Sequence, residues 1–268
     1  MILIQVWCRT ALKLRLARGS TQQLCEWFLR ASDAKHVAQM EFARQYNANA
    51  IRLESRALRM LLTTLRAKQT RQPAFVAAAD RLCAILAEEA LALLPGVKDN
   101  APIMTPCGPT TGMICPPDGD IVIVNIVRSG GILQEAVRRV CPGAGTAKIL
   151  VQRDEETALP NLLYSKLPPG IGEKNIVLCD PMLATGGSAM MALGVLRQAG
   201  VRDERVVFAN VVSCPEGLRR LASEAPDVKI VTCAVDAGLN DQKFIVPGLG
   251  DFGDRYFGTF GYDEGLWG

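Results

Sequence analysis

One nine-residue stretch, Asp180-Pro-Met-Leu-Ala-Thr-Gly-Gly-Ser188, constrains this chain more than any other. It follows the apolar run Asn175-Ile-Val-Leu-Cys179. It precedes Ala189-Met-Met-Ala-Leu-Gly-Val-Leu-Arg197, whose apolar residues recur at helical spacing. The order is strand, loop, helix. Such a loop aims backbone N–H groups and a helix N-terminus at one point, and both favour the negative charge of a phosphate. Gly186 and Gly187 allow close approach and positive φ. Thr185 and Ser188 add hydroxyl donors, and Asp180 suits sugar hydroxyls or a metal-bound water. The stretch is not a Walker loop, since no Gly-Lys-Ser/Thr follows. It is not a Rossmann fingerprint, since Gly-x-Gly-x-x-Gly is absent. The residues alone leave a second reading open, an ordinary strand-to-helix turn with a glycine pair.

From Ile121 onward apolar runs alternate with helical patterns. Strands are expected at Ile121–Val127, Lys148–Gln152, Asn175–Cys179, Val206–Val212 and Lys229–Ala234. Helices are expected at Leu133–Val140, Ala189–Ala199 and Glu216–Ala225, with 154–172 a loop or hairpin. This alternation predicts an α/β fold, a mostly parallel sheet flanked by helices on both faces. In such sheets ligands collect beyond the carboxyl ends of the strands. Arg128, Arg153 and Asp180 follow three separate strands and should face one crevice. Upstream, near-helical spacing predicts one helix over 34–66 and another over Ala74–Leu94, opened by Pro73 and closed by Pro95-Gly96. Residues 97–119, rich in Pro, Gly, Thr and Cys, predict an irregular stretch or hairpin. Both helices present an apolar face that needs a partner. The expected division is therefore an N-terminal extension over 1–50, partly disordered or a leader, and one domain over 51–268.

Charge and cysteine usage narrow the function classes. Of 268 residues, 30 are Lys or Arg and 27 are Asp or Glu, so no basic field calls for nucleic acid. Nine scattered Cys without a Cys-x-x-Cys pair argue against a disulfide framework or zinc site and for a reducing compartment. A single His, His36, cannot build a His-based metal centre, so no protein-held metal is expected. The most apolar run is short and contains Asn125, which suits a buried strand and not a membrane span. The expectation is a cytoplasmic protein. Met1–Leu24 carries four basic residues and no acid, a composition compatible with an organellar presequence in 1–25.

Three further blocks carry candidate chemistry. Arg128-Ser-Gly-Gly131 closes the first strand, where a guanidinium fork and backbone amides suit diphosphate oxygens. An arginine that merely caps a helix fits equally well. Arg153-Asp-Glu-Glu-Thr157 and Leu163-Tyr-Ser-Lys-Leu-Pro168 read as two arms of a flap. Such a flap would close over an activated ligand and exclude water. By residue type alone it is also a solvated charged hairpin. Phe244-Ile-Val-Pro-Gly-Leu-Gly-Asp-Phe-Gly-Asp-Arg-Tyr-Phe-Gly-Thr259 packs four glycines among aspartates and aromatics. It suits a backbone-lined slot for a flat ligand; a glycine-rich tail turn is the plainer reading.

Taken together these blocks resemble the uracil phosphoribosyltransferase family. Asp180–Ser188 is similar to that family's loop for phosphoribosyl diphosphate (PRPP), in the branch with one acid and a proline. Most of the wider phosphoribosyltransferase class carries two adjacent acids there. Arg128-Ser-Gly resembles the family's Arg-Ala-Gly, with Ser a mild departure. The terminal block resembles the eukaryotic form of the uracil-binding region. The likeness runs from about Leu58 to Thr259, and nothing before residue 50 is placed by it.

The resemblance implies a type I phosphoribosyltransferase fold and PRPP-dependent conversion of uracil to UMP and diphosphate. It implies PRPP contacts from Arg128, Arg153, Asp180, Pro181, Met182, Leu183, Ala184, Thr185, Gly186, Gly187, Ser188 and Asp251. It implies uracil contacts from Ile245, Gly250, Asp251 and Phe252, with Asp251 and Arg153 as the catalytic pair. Mg2+ would arrive with PRPP, and the small-molecule partners would be uracil and PRPP, without nucleic acid or membrane. Relatives form dimers or tetramers, so a homodimer or homotetramer is implied. Activation by GTP, found in some relatives, is left open. A rival is a catalytically weak regulator that binds PRPP or uracil nucleotide on the same fold. Such proteins lose parts of the loop and the terminal acid, whereas this chain keeps Asp180, both glycines and Asp251. The whole reading requires Ser188 and Asp251 to share a cavity.

Overall fold

Five apolar runs bury both faces of a sheet. In a computed structural model of the protein, residues 43–153 and 160–259 are described, except the side chains of Arg153 and Pro160. They belong to one compact unit, Met40–Gly268. The expected leader, His36 and the start of the 34–66 helix lie outside the described residues, as do Asp154–Thr157 of the expected flap.

The strands of the central sheet are β1 (Ala50–Arg52), β4 (Ile121–Val127), β5 (Gly145–Arg153), β6 (Pro160–Lys166), β7 (Asn175–Cys179), β8 (Met182–Leu183), β9 (Val206–Ser213) and β10 (Lys229–Val235). Their order is β1-β10-β9-β7-β4-β5-β6, with β8 also on β9. All pairings are parallel except β5 with β6. All of β7 and β9 is buried, which is why their sequences read as near-continuous apolar runs and not as alternation.

Helices cover both faces. Helices α1 (Arg56–Arg66), α2 (Gln72–Ala92) and α3 (Gly130–Val140) share one core with Ile121, Ile123, Val177 and Val207. Helices α4 (Gly187–Gln198) and α5 (Pro215–Glu224) share the other with Val122, Val124, Ile176 and Phe208. Alternate residues of β4 thus enter opposite cores, as a pleated strand requires. The fold class is the α/β sheet that the sequence predicts. Residues 97–119 form a hairpin outside the sheet, β2 (Lys98–Thr105) against β3 (Gly108–Ile114). The tail adds a second hairpin, β11 (Gly238–Leu239) with β12 (Ile245–Val246), and a short helix α6 (Phe252–Phe257).

One expected element is overturned. The helix over 34–66 is not continuous. A turn follows Ala43-Arg44, β1 pairs with β10, and α1 starts afresh at Arg56. Local polar bonds interrupt the helix. The Asn47 side-chain carbonyl accepts from Asn49 N–H at 2.9 Å, and its amide donates to the Leu218 carbonyl at 3.2 Å. Ser55 then caps α1 by accepting from Leu58 N–H at 3.0 Å.

Candidate active site

Strand order creates the crevice. The chain passes from β4 to β5 on one side, then returns to β7 on the other side of β4. Crossovers reverse direction there, and such a switch point leaves a gap at the carboxyl ends. The ends of β7, β4 and β5 are neighbours, at the usual strand spacing of about 4.8 Å. Asp180 and Arg128 therefore leave adjacent strands, and β5 runs past both to Arg153. Helix α3 starts very close to β7: a Cβ on Gly130 would collide with the Cys179 carbonyl oxygen. Only glycine allows that approach.

The Asp180–Ser188 loop is pinned along β9 before it turns into α4. The Pro181 carbonyl accepts from Val211 N–H at 2.9 Å and Val212 N–H at 3.1 Å. The Leu183 carbonyl accepts from Cys214 N–H at 3.1 Å. Gly186 then takes φ +77°, a left-handed conformation that suits glycine. Gly187 opens α4 with no side-chain cap and no acid in the first turn. The helix thus presents its first N–H groups and its positive end to the crevice.

Across the crevice stands the tail. A cleft of about 360 Å³ is lined by Asp180, Met182, Ala184 and Ser188 from the loop and by Ile245, Gly250 and Asp251 from the tail. Ser188 and Asp251 share one cavity. Val151, Gln242, Lys243 and Phe244 complete the lining. Arg128, Pro181, Leu183, Thr185, Gly186 and Gly187 are not among the residues that line it. Phe252 is 1% exposed, and its ring lies edge-on to Phe75 at 5.4 Å in the core. Phe252, expected as a uracil contact, is not among the residues that line the cleft.

Asp251 faces the cleft and caps α6, its carboxylate accepting from Asp254 N–H at 2.7 Å. Arg128 is held beside it. Its guanidinium donates to Asp254 at 2.5 Å and to the Thr259 hydroxyl at 2.8 Å. Asp251 Oδ1 and Arg128 Nη2 lie 3.3 and 3.4 Å from where a Cβ on Gly253 would stand. Gly253 thus brings the strand-end arginine and the tail carboxylate together. Burial raises the Asp254 pKa, but hydrogen bonds from Thr259 and Arg128 outweigh it and hold the carboxyl below its ordinary value.

A second set of side chains shapes the slot from behind. Arg66, the last residue of α1, meets Asp236 through two bonds of 2.8 and 2.7 Å. Arg66 also donates to the Gly248 carbonyl at 2.8 Å, while Asp236 accepts from Gly248 N–H at 2.8 Å. The pair thereby grips both backbone groups of one residue in the segment between Ile245 and Gly250. Arg255, 1% exposed, donates to the carbonyls of Leu65, Ala67 at 2.9 Å and Leu249 at 2.7 Å. It ties the tail to the C-terminal end of α1, where carbonyls lack helical partners and a cation is favoured.

Sequence reasoning missed Arg66, Asp236, Asp254 and Arg255 as site-building groups, and Val151, Gln242, Lys243 and Phe244 as lining. Asp254 and Arg255 carried a signal, since both sit inside the glycine-rich tail block. Arg66 carried none, being 170 residues from Asp236.

The cleft's donor set suits hard cations only loosely. Asp180 and Asp251 supply carboxylate oxygens, which fit a magnesium ion that keeps most of its waters and ligand oxygens. Among the described residues no group of three His, Cys, Asp or Glu side chains is placed to hold a metal.

A mostly parallel sheet with helices on both faces and a cleft at its switch point fits the class of α/β phosphoribosyl-transferring enzymes. The profile of the family described as Uracil phosphoribosyltransferase matches residues 52–259. A uracil phosphoribosyltransferase of Dictyostelium discoideum is 43% identical over 220 residues, covering 80% of this chain and 98% of the relative. That of Saccharomyces cerevisiae is 45% identical over 201 residues, covering 74% and 90%. The solved structure of the AQ2163 protein from Aquifex aeolicus is 30% identical, with TM-score 0.66, and covers 78% of this chain and 98% of that one. The chain belongs to the uracil phosphoribosyltransferase family.

Proposed function

We propose that this chain transfers the phosphoribosyl group of PRPP to uracil, forming UMP and diphosphate in pyrimidine salvage. The observation that supports it most is the single cleft shared by Ser188 and Asp251. In this reading the Ala184–Ser188 amides and the N-terminus of α4 hold the 5′-phosphate. Asp180 accepts from the ribose hydroxyls. Arg128 and Arg153 face diphosphate, Arg128 with donors to spare beyond its bonds to Asp254 and Thr259. Backbone groups from Ile245 to Phe252 pair with the uracil edge, and Asp251 orients the base and takes its N1 proton.

Breaking the anomeric carbon–oxygen bond builds positive charge on the sugar and negative charge on diphosphate. The chain's task is to align both reactants and meet the leaving charge with fixed donors. One such donor is worth roughly 3 kcal/mol of barrier. Magnesium, arriving with PRPP, supplies further neutralisation of the diphosphate. Uracil is selected because cytosine exchanges a carbonyl for an amino group and leaves buried partners unmatched.

The same reading makes the enzyme a cytoplasmic homodimer or homotetramer with no nucleic-acid or membrane partner. The working domain is read as 51–268 together with 43–50, which pack into its core, and GTP is a candidate activator. Among the described residues no helix is long and apolar enough to cross a membrane. A base panel with labelled PRPP tests the function. UMP should form from uracil in the presence of magnesium, with little product from cytosine or hypoxanthine. Equal rates with all three bases would refute the slot.

A further inference from the structure

Lys243 stands at the tip of the β11–β12 hairpin and borders the same cleft as Asp180, Ser188 and Asp251. Its backbone is strained. Asn240 N–H donates to the Phe244 carbonyl at 2.9 Å, and Lys243 N–H donates to the Asn240 carbonyl at 2.9 Å. The Asn240 side chain accepts from Phe244 N–H at 2.8 Å. These bonds close a three-residue loop, Asp241-Gln242-Lys243, whose last position takes φ +66°. Hairpins of this length favour a left-handed residue there, usually glycine. A lysine gives up that freedom and pays in backbone strain. Strain that persists beside a ligand cleft points to a use for the side chain.

The cleft's charges say what that use is. The described residues around it bring two carboxylates, Asp180 and Asp251, and one cation, Lys243. The loop opposite offers neutral amides, and Arg128, bound to Asp254, is not among the residues that line the cleft. PRPP carries several negative charges, which an ammonium on a flexible stem can follow as a point charge. We propose that Lys243 binds the phosphate groups of PRPP, an anion contact from the hairpin tip. This rests on the proposed transferase reading and adds a residue to it.

The test compares Lys243→Gly, Lys243→Gln and Lys243→Arg. Strain and ligand contact make opposite demands at this position. Lys243→Gly should melt at a higher temperature than wild type yet bind PRPP about tenfold more weakly, as loss of one charge-assisted contact implies. Lys243→Gln should lose the same affinity without the thermal gain, and Lys243→Arg should restore most of it. The KM for uracil should stay within about twofold of wild type, because the base slot is untouched. Weakened inhibition by diphosphate would place the ammonium on the leaving group; weakened inhibition by UMP would place it on the 5′-phosphate. Unchanged inhibition by both, or PRPP binding like wild type in the Gly and Gln variants, overturns the proposal. Equal rises in both KM values also overturn it, since they mean a displaced hairpin. A wild-type chain that forms no UMP contradicts the proposed function instead, and calorimetric titration of PRPP still reads Lys243 directly.

Discussion

Asp251 occupies two roles that a single substitution can separate. Its carboxylate caps α6 and also faces the cleft. Asn caps a helix about as well as Asp but cannot take a proton at neutral pH. Asp251→Asn should therefore melt like wild type while turnover falls at least about tenfold, on the scale of one lost catalytic group. Arg153→Ala should show the same combination. Wild-type rates in both purified variants would remove these residues from the mechanism. Asp254 carries a different signature. Its lowered pKa means that the folded chain holds the proton more weakly than the unfolded chain. Its contribution is present above the ordinary value of 3.8 and fades as pH falls through the lower folded value. Between about pH 6 and about pH 3, wild type should lose more thermal stability than Asp254→Asn. Parallel loss in both would contradict the assignment. At this scale the place of Asp180–Ser188 at the cleft was legible in its motif. That of Lys243 was not, because no local pattern tells which loop an exposed turn lysine stands across from.

Elements place these residues through contacts that no local pattern encodes. Helix α1 ends on Arg66, whose guanidinium reaches the far end of the chain to grip Asp236 and Gly248. Arg255 grips the same helix end in return. The tail slot is therefore built on α1 and on the β10 exit as much as on its own glycines. The Asp236 side chain is 6% exposed and that of Arg66 27%. Arg66→Ala should cost about 2–3 kcal/mol, below the roughly 3–5 kcal/mol of a fully buried pair, because Arg66 is partly hydrated. It should also raise the KM for uracil more than that for PRPP. A double-mutant cycle with Asp236→Ala measures the pair; additive losses would contradict the clamp. The misread helix over 34–66 belongs at this scale. Ala50, Leu53 and Ala57 sit at helical spacing, yet Ala50–Arg52 is a strand because β10 offers an open parallel edge. Tertiary pairing overrode local periodicity, as it does for short strands. By contrast, Ile121–Val127 and Asn175–Cys179 have the bounds that their apolar runs predict, since a strand buried on both faces reads as a near-continuous apolar run.

For the whole molecule, the alternation of strands and helices determines the parallel sheet, and the reversal at β4 determines where its crevice lies. That much follows from sequence pattern and general packing rules. What does not follow is which side chains meet across it, because the cleft joins a loop at 180–188 to a tail some sixty residues later. The loop that carries Ser188 and the tail segment that carries Asp251 open onto the same space. The measurement that tests that meeting most directly is a crystal structure of the chain with UMP. The 5′-phosphate should rest on the amides of Ala184–Ser188, with the uracil edge against the main chain between Ile245 and Phe252. UMP bound away from Ser188, or with its base turned away from the Asp251 side of the cleft, would contradict the account.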